Sequence, residues 1–263
     1  MNIIINGPGR SGTTLLSKLI SYHEDLAWIS GWVNRYPNYT GLSRFNNLYR
    51  QQIFNVDFSK VNKMPKPDEA YGFWNYYMQN FSNNYKPTSN EIIKTKNALE
   101  NLIKVQGKKH FVTKITGGLR TSVLDKIFKE YKTIWIERDP RVVVSSYMKQ
   151  RWFYKDKETE FNNLSMEDKI RFYSKYYLKI FEGSKTAPKK VIFYEDLCED
   201  PVAFFKDLLS HLDLEFTQWH KSKIEQQTIV KVNWSSYKEK YKDNEIVLLH
   251  NLLNEPLREY NYL

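Results

Sequence analysis

Between the apolar run Ile3-Ile4-Ile5 and a helix-spaced stretch, Thr14 to Ile20, lies the segment Gly7-Pro8-Gly9-Arg10-Ser11-Gly12-Thr13. Two glycines enclosing four residues, followed by paired hydroxyl side chains, outline a loop whose backbone N–H groups and following helix N-terminus hold anionic oxygens. Loops that cradle ATP or GTP place a lysine directly after the second glycine, where it reaches the outer phosphates. Thr13 stands there instead, and the cation has moved into the loop as Arg10. That exchange argues against ordinary nucleoside triphosphate chemistry while keeping the capacity to bind an anion.

The elements that must position this loop are legible. An all-apolar β-branched run leading into a glycine turn and a helix is the opening of a βαβ unit. Phe111–Lys114, Thr133–Glu137 and Val191–Tyr194 are further buried-strand candidates, each followed by a helix-competent stretch. Asp139-Pro140 and Asp200-Pro201 each supply an N-cap and a first-turn proline to the helix that follows. Ser165 is placed to cap another helix after a polar loop at 153–165, and the tail from about 237 to 260 reads as helical. Strands alternating with helices predict an α/β fold, with a central parallel β-sheet flanked by helices in three layers. From about 32 to 108 the sheet pattern gives way to aromatic, Asn-rich sequence, expected to be a helical insertion over the sheet's ligand edge within a single domain spanning 1–263.

Gly9-Arg10-Ser11-Gly12-Thr13-Thr14 resembles the 5′-phosphosulfate loop of the sulfotransferases that use 3′-phosphoadenosine 5′-phosphosulfate (PAPS). In that family a strand-end Arg and a Ser eight residues later hold the 3′-phosphate, and Arg138 and Ser146 stand in that register. Tyr194-Glu195-Asp196-Leu197 is similar to a third family segment, whose Tyr lies near the adenine side of the cofactor. The resemblance runs from residue 3 to about 212. It implies the P-loop-like sulfotransferase fold of the bacterial and carbohydrate branches, with no metal required. It also implies transfer of a sulfuryl group from PAPS to a hydroxyl acceptor, leaving adenosine 3′,5′-bisphosphate (PAP). Cofactor binding then falls to Gly9, Arg10, Ser11, Gly12, Thr13, Thr14, Arg138, Ser146 and Tyr194.

Sulfuryl transfer needs cations and N–H donors at the leaving oxygen, a task suited to Arg10 and the loop. Lys114 has two readings: a contact to substrate or sulfate, as in many family members, or a strand-end lysine in solvent. Its segment, Lys114-Ile115-Thr116, lacks the histidine that is the base of the aryl and steroid branch, and Leu26–Asn34 lacks the glutamate used by other branches. A general base must still be found. Glu69, an isolated acid beside the aromatic cluster Tyr71–Tyr77, is the first candidate; Asp25 and His110 follow. The aromatic stretch Trp28–Tyr85, with Arg35 and Arg44, has the chemistry to stack on sugar or aromatic rings, or to be plain core. A carbohydrate or glycolipid is the expected acceptor, with a small alcohol, a phenol or a tyrosine peptide left open.

Composition bounds the alternatives. The 263 residues carry 40 Lys+Arg against 30 Asp+Glu, a formal charge of +10 that favours anionic partners without choosing among them. One cysteine, Cys198, excludes an intramolecular disulfide framework or a multi-cysteine metal site, and five scattered histidines show no ligand spacing. There is no signal-peptide core or apolar run of membrane-spanning length, so the chain is expected in the cytoplasm. Two rival readings remain: a phosphotransferase that has replaced its loop lysine, and a basic module binding a polyanion. The second is opposed by the absence of a lysine run or nucleic-acid motif.

Overall fold

The computed structural model describes residues 1–50, 65–82, 84–150, 153–154, 157–229, 235 and 237–263, with the backbone alone of 52–53 and 56–57. The strands are β1 (Asn2–Gly7), β2 (Leu26–Ala27), β3 (Gln52–Ile53), β4 (Val56–Asp57), β5 (His110–Thr116), β6 (Lys132–Glu137) and β7 (Lys190–Phe193). Five of them form one parallel sheet in the order β2-β5-β1-β6-β7. The expected α/β architecture is therefore present. Strands β3 and β4 pair antiparallel within the segment expected to be helical, an element the aromatic pattern does not suggest.

Alternation along β1 builds two cores. Ile3 and Ile5 face Leu16, Leu19 and Ile20, whereas Ile4 faces Phe111, Ile115 and Val123 on the other side, all buried. Each such side chain contributes roughly 1.5–3 kcal/mol on burial, so β1 is anchored on both faces of the sheet. Because chain order runs from β1 to one flank and later to the other, β5 and β6 diverge from β1, and their carboxyl ends enclose a crevice beside its loop. Ligands of open α/β sheets bind at such a switch point.

The helices that bear on the crevice start where their caps require. Asp139 accepts the Arg141 N–H at 2.9 Å ahead of Pro140–Tyr147, and Asp200 accepts from Val202 and Ala203 ahead of Pro201–His211. Ser165 caps Met166–Ser184 through the Asp168 N–H. The tail is not one helix: a 3-10 turn, Lys238–Lys240, precedes the helices Asp243–Leu252 and Asn254–Glu259. Pro256 explains the second break, since it lacks an N–H and its ring would clash with the carbonyl four residues earlier. Among the described residues no helix is long and apolar enough to cross a membrane.

Candidate active site

The loop after β1 is shaped by close approaches. A side chain on Gly7 would meet the Ile136 carbonyl at 2.4 Å, and one on Gly12 would meet the Tyr194 ring at 2.1 Å, where φ is +101°. Glycine at 12 thus satisfies both the left-handed backbone and the tyrosine packed on the loop. Arg10 also takes a left-handed conformation, φ +71°, an unusual state for a residue with a Cβ. Ser11 bonds the Pro8 carbonyl through both its N–H and its hydroxyl, closing the turn. The helix Thr13–Ile20 then begins with no side chain on its first N–H groups, which leaves them directed at the crevice.

Arg138, Ser146 and Tyr194 gather against that loop. Arg138 Nη1 donates to the Arg10 carbonyl at 3.3 Å, and Arg10 Nε donates to Ser146 Oγ at 3.1 Å. The Arg138 guanidinium lies 4.6 Å over the Tyr194 ring. Both acidic neighbours are engaged elsewhere. Glu137 is fully buried and accepts from Trp135 Nε1 and the Tyr177 hydroxyl, while Asp139 pairs with Arg141 at 2.7 Å. Arg138 therefore forms no ion pair with either, and its buried Nε has no hydrogen-bond partner. The guanidinium is half-buried, with its Nε covered and unpartnered, and a buried donor without an acceptor costs energy. Burial pushes the Glu137 carboxyl up to about 7, against the hydrogen bonds it accepts. Tyr194 begins the helix Tyr194–Glu199 rather than ending β7, a difference that turns its ring across Gly12.

The opposite wall of the crevice is a cavity of about 400 Å³, lined among others by Arg10, Thr13, Thr14, Glu69, Tyr71 and Tyr176. Lys114 is 5% exposed, so the solvent reading fails. Its Nζ donates to Thr14 Oγ1 at 3.0 Å and lies 3.2 Å from Glu69 Oε1. The Thr116 hydroxyl donates to the same carboxylate oxygen. Glu69 is thus held from two sides by residues on β5, within the cavity and in contact with the phosphate-loop helix through Lys114. The Tyr71 hydroxyl donates to the Thr116 carbonyl at 2.9 Å and accepts from Arg120 Nη2 at 3.1 Å. Burial raises the Tyr71 phenol above its ordinary range, an effect that Arg120 opposes.

Two other sequence candidates for the base lie elsewhere. His110 opens β5 and bonds the Met1 amino group at 3.1 Å, and Asp25 lies 3.4 Å from Lys109. Both sit at the amino end of the sheet, opposite the crevice, because a residue opening a parallel strand cannot reach its carboxyl edge. Part of the aromatic stretch is core: Trp28, Tyr49, Phe73, Trp74 and Phe81 are buried, whereas Tyr36, Tyr39, Phe45 and Tyr76 are exposed, with Arg35 stacked on Tyr36. Phe54 and Phe58 lie outside the described residues. Among the described aromatics of the stretch, Tyr71 lines the cavity. Thr116, Arg120 and Tyr176 had no assigned role in the sequence. Thr116 was within reach, since residues two apart on a strand share a face and Lys114 was already a candidate. Among the described residues no group of three or more His, Cys, Asp or Glu is disposed to hold a metal ion.

Fold and site together define an α/β protein whose first strand runs into a glycine loop that carries arginine in place of lysine, with a second arginine, Arg138, just past the end of the adjoining strand. Residues 2–218 match the model of the Sulfotransferase family, and the chain belongs to that family, whose class is that of the PAPS-dependent sulfotransferases. Solved structures of similar fold include sulfotransferase STF9 from Mycobacterium avium, 14% identical with a TM-score of 0.58, covering 98% of this chain and 76% of that one. Mouse sulfotransferase SULT7A1 complexed with PAP is 13% identical with a TM-score of 0.51, covering 99% of this chain and 85% of the other. The sulfotransferase domain of the Synechococcus PCC 7002 olefin synthase is 15% identical with a TM-score of 0.51, covering 95% and 93%. No curated protein matches the sequence.

Proposed function

We propose that this sulfotransferase, working as one domain over 1–263, moves the sulfuryl group of PAPS to a hydroxyl of a carbohydrate or glycolipid acceptor. The observation that carries the cofactor half is Arg138: a half-buried guanidinium beside two acids, paired with neither, whose Nε is left without a partner. Arg138 and Ser146 hold the 3′-phosphate, and Tyr194 lies to the adenine side. When bound, PAPS supplies the sulfuryl group, which leaves its bridging oxygen in an in-line displacement.

The chain's own groups do the rest. Arg10, the N–H groups of Gly12 and Thr13 and the hydroxyls of Thr13 and Thr14 stabilise the charge that gathers on the departing phosphate, while Ser11 closes the turn that presents them. Lys114, fixed by Thr14, adds a cation beside the reacting group. Glu69 Oε1 is occupied by Lys114 and Thr116, and its second oxygen is free to accept the proton of the attacking hydroxyl. The acceptor oxygen forms the new bond to sulfur as the bridging bond breaks, and the proton ends on Glu69. Tyr71 and Tyr176, ring-bearing but hydroxyl-tipped, suit a polar acceptor with apolar faces, as a sugar has.

Isothermal titration of PAP without metal tests the cofactor half, with ATP and Mg²⁺ as the control. Tight PAP binding that weakens at least a hundredfold in Arg138→Ala is expected, in keeping with the loss of about 3 kcal/mol for a charge-assisted pair. Preference for ATP with Mg²⁺ would overturn the reading in favour of a phosphotransferase.

A further inference from the structure

We infer that the acceptor presents two hydrogen-bond donors to this cavity, so that the enzyme selects diols and polyols over alcohols with a single hydroxyl, and that Tyr71 is the residue that selects. The inference rests on the sulfuryl-transfer reading of the same cavity. Its basis is a count of protons. A tyrosine hydroxyl has one proton and two lone pairs. The Thr116 carbonyl can only accept, so the Tyr71 proton is committed to it across 2.9 Å. The Arg120 guanidinium can only donate, so its Nη2 takes one lone pair across 3.1 Å. One lone pair remains, on a residue that lines the cavity. A ligand group meeting Tyr71 there must donate.

Arg120 is well fixed for this task. It is 8% exposed, its Nε donates to the Phe81 carbonyl at 3.0 Å and its Nη1 to the Gly118 carbonyl at 3.0 Å, and its guanidinium lies over the Tyr71 and Phe81 rings. It is a positioning residue: it takes one lone pair and holds the Tyr71 oxygen in place, while the Thr116 carbonyl keeps the proton turned away from the ligand. Glu69 is the second acceptor, since a carboxylate can only accept when ionised. Both acceptors are tied to one residue, Thr116, Glu69 through its hydroxyl and Tyr71 through its carbonyl. They are therefore neighbours. A substrate with one hydroxyl satisfies Glu69 and leaves the remaining acceptor site of Tyr71 without a donor, whereas a diol satisfies both.

The test is steady-state sulfation of trans-cyclohexane-1,2-diol and cyclohexanol with PAPS, by the wild-type protein and Tyr71→Phe, with PAP titration on both proteins. The wild type is expected to favour the diol in kcat/KM by about tenfold, above the statistical factor of about two from its second hydroxyl. In Tyr71→Phe the ratio is expected to fall toward that factor while PAP affinity holds. An equal or higher kcat/KM for cyclohexanol in the wild type would overturn the inference, as would an undiminished ratio in Tyr71→Phe. Sulfation of neither alcohol by a protein that binds PAP would overturn the two-donor selection and leave the cofactor reading standing. Failure to bind PAP would instead sink the reading beneath it.

Discussion

The two walls of the crevice differ in their building units. The cofactor wall is made of three strand-to-helix junctions, at Gly7–Thr13, Glu137–Ser146 and Phe193–Tyr194, each a short stretch whose spacing sets its local geometry. Contacts across 128 and 136 positions, Arg138 to Arg10 and Arg10 to Ser146, then bring the junctions together. The acceptor wall is made of single side chains outside any such motif: Glu69 meets Thr116 across 47 positions, Tyr71 meets Arg120 across 49, and Lys114 meets Thr14 across 100. A wall of motifs keeps its local geometry wherever the junctions are kept. A wall of single side chains can be rebuilt by changing one packed helix, which is the freedom an enzyme needs to change acceptor while retaining donor.

That contrast can be broken by experiment. The largest effect is expected for Glu69→Gln, which should lower kcat by about 10²–10⁴ as a general base is lost, read as PAP released per unit time with acceptor in excess. An effect confined to KM would mean that Glu69 only orients the acceptor. Gly12→Ala should follow, since its new methyl would collide with the Tyr194 ring in a left-handed backbone. A loss of about 2–4 kcal/mol in chemical unfolding is expected, together with weaker PAP binding. Unchanged stability would show that Tyr194 does not rest on the loop.

A smaller and pH-dependent effect is expected at Glu137. Its carboxyl titrates at 4.5 when unfolded and near 7 when folded, because burial disfavours its ionised form. Between those values the unfolded chain has released a proton that the folded chain keeps, so stability falls as pH rises from 4.5 to 7 and is level above. Glu137→Gln keeps an acceptor for Tyr177 and should flatten that part of the stability curve, amounting to a few kcal/mol at most. Urea unfolding at pH 5 and 7.5 measures it, and an identical slope in the variant would show that the carboxylate ionises freely.

What the sequence disclosed follows the same division. Arg138 and Ser146 were legible because a strand end and the next helix turn are only residues apart, and Tyr194 because it opens the helix preceding Asp200-Pro201. Glu69 drew attention for a different reason, as an acid beside an aromatic cluster, and its pairing with Lys114 emerged only in the structure. The same logic favoured His110 and Asp25 on residue type alone. Strand direction excludes them, since β5 carries His110 at its amino end and Lys114 and Thr116 toward its carboxyl end. Arg120 and Tyr176 stayed hidden because nothing local marks them. The hydrogen bonds and packing that bring them to the cavity belong to the tertiary structure. The two residues of β2 were too few for any periodicity to register.

Separate control of donor and acceptor is tested most directly by titrating PAP into Arg138→Ala and Glu69→Gln side by side with the wild type. Under separate control, Glu69→Gln binds PAP within about twofold of wild type while Arg138→Ala binds at least about a hundredfold more weakly. Equal losses in both variants, or a loss in Glu69→Gln alone, would contradict it.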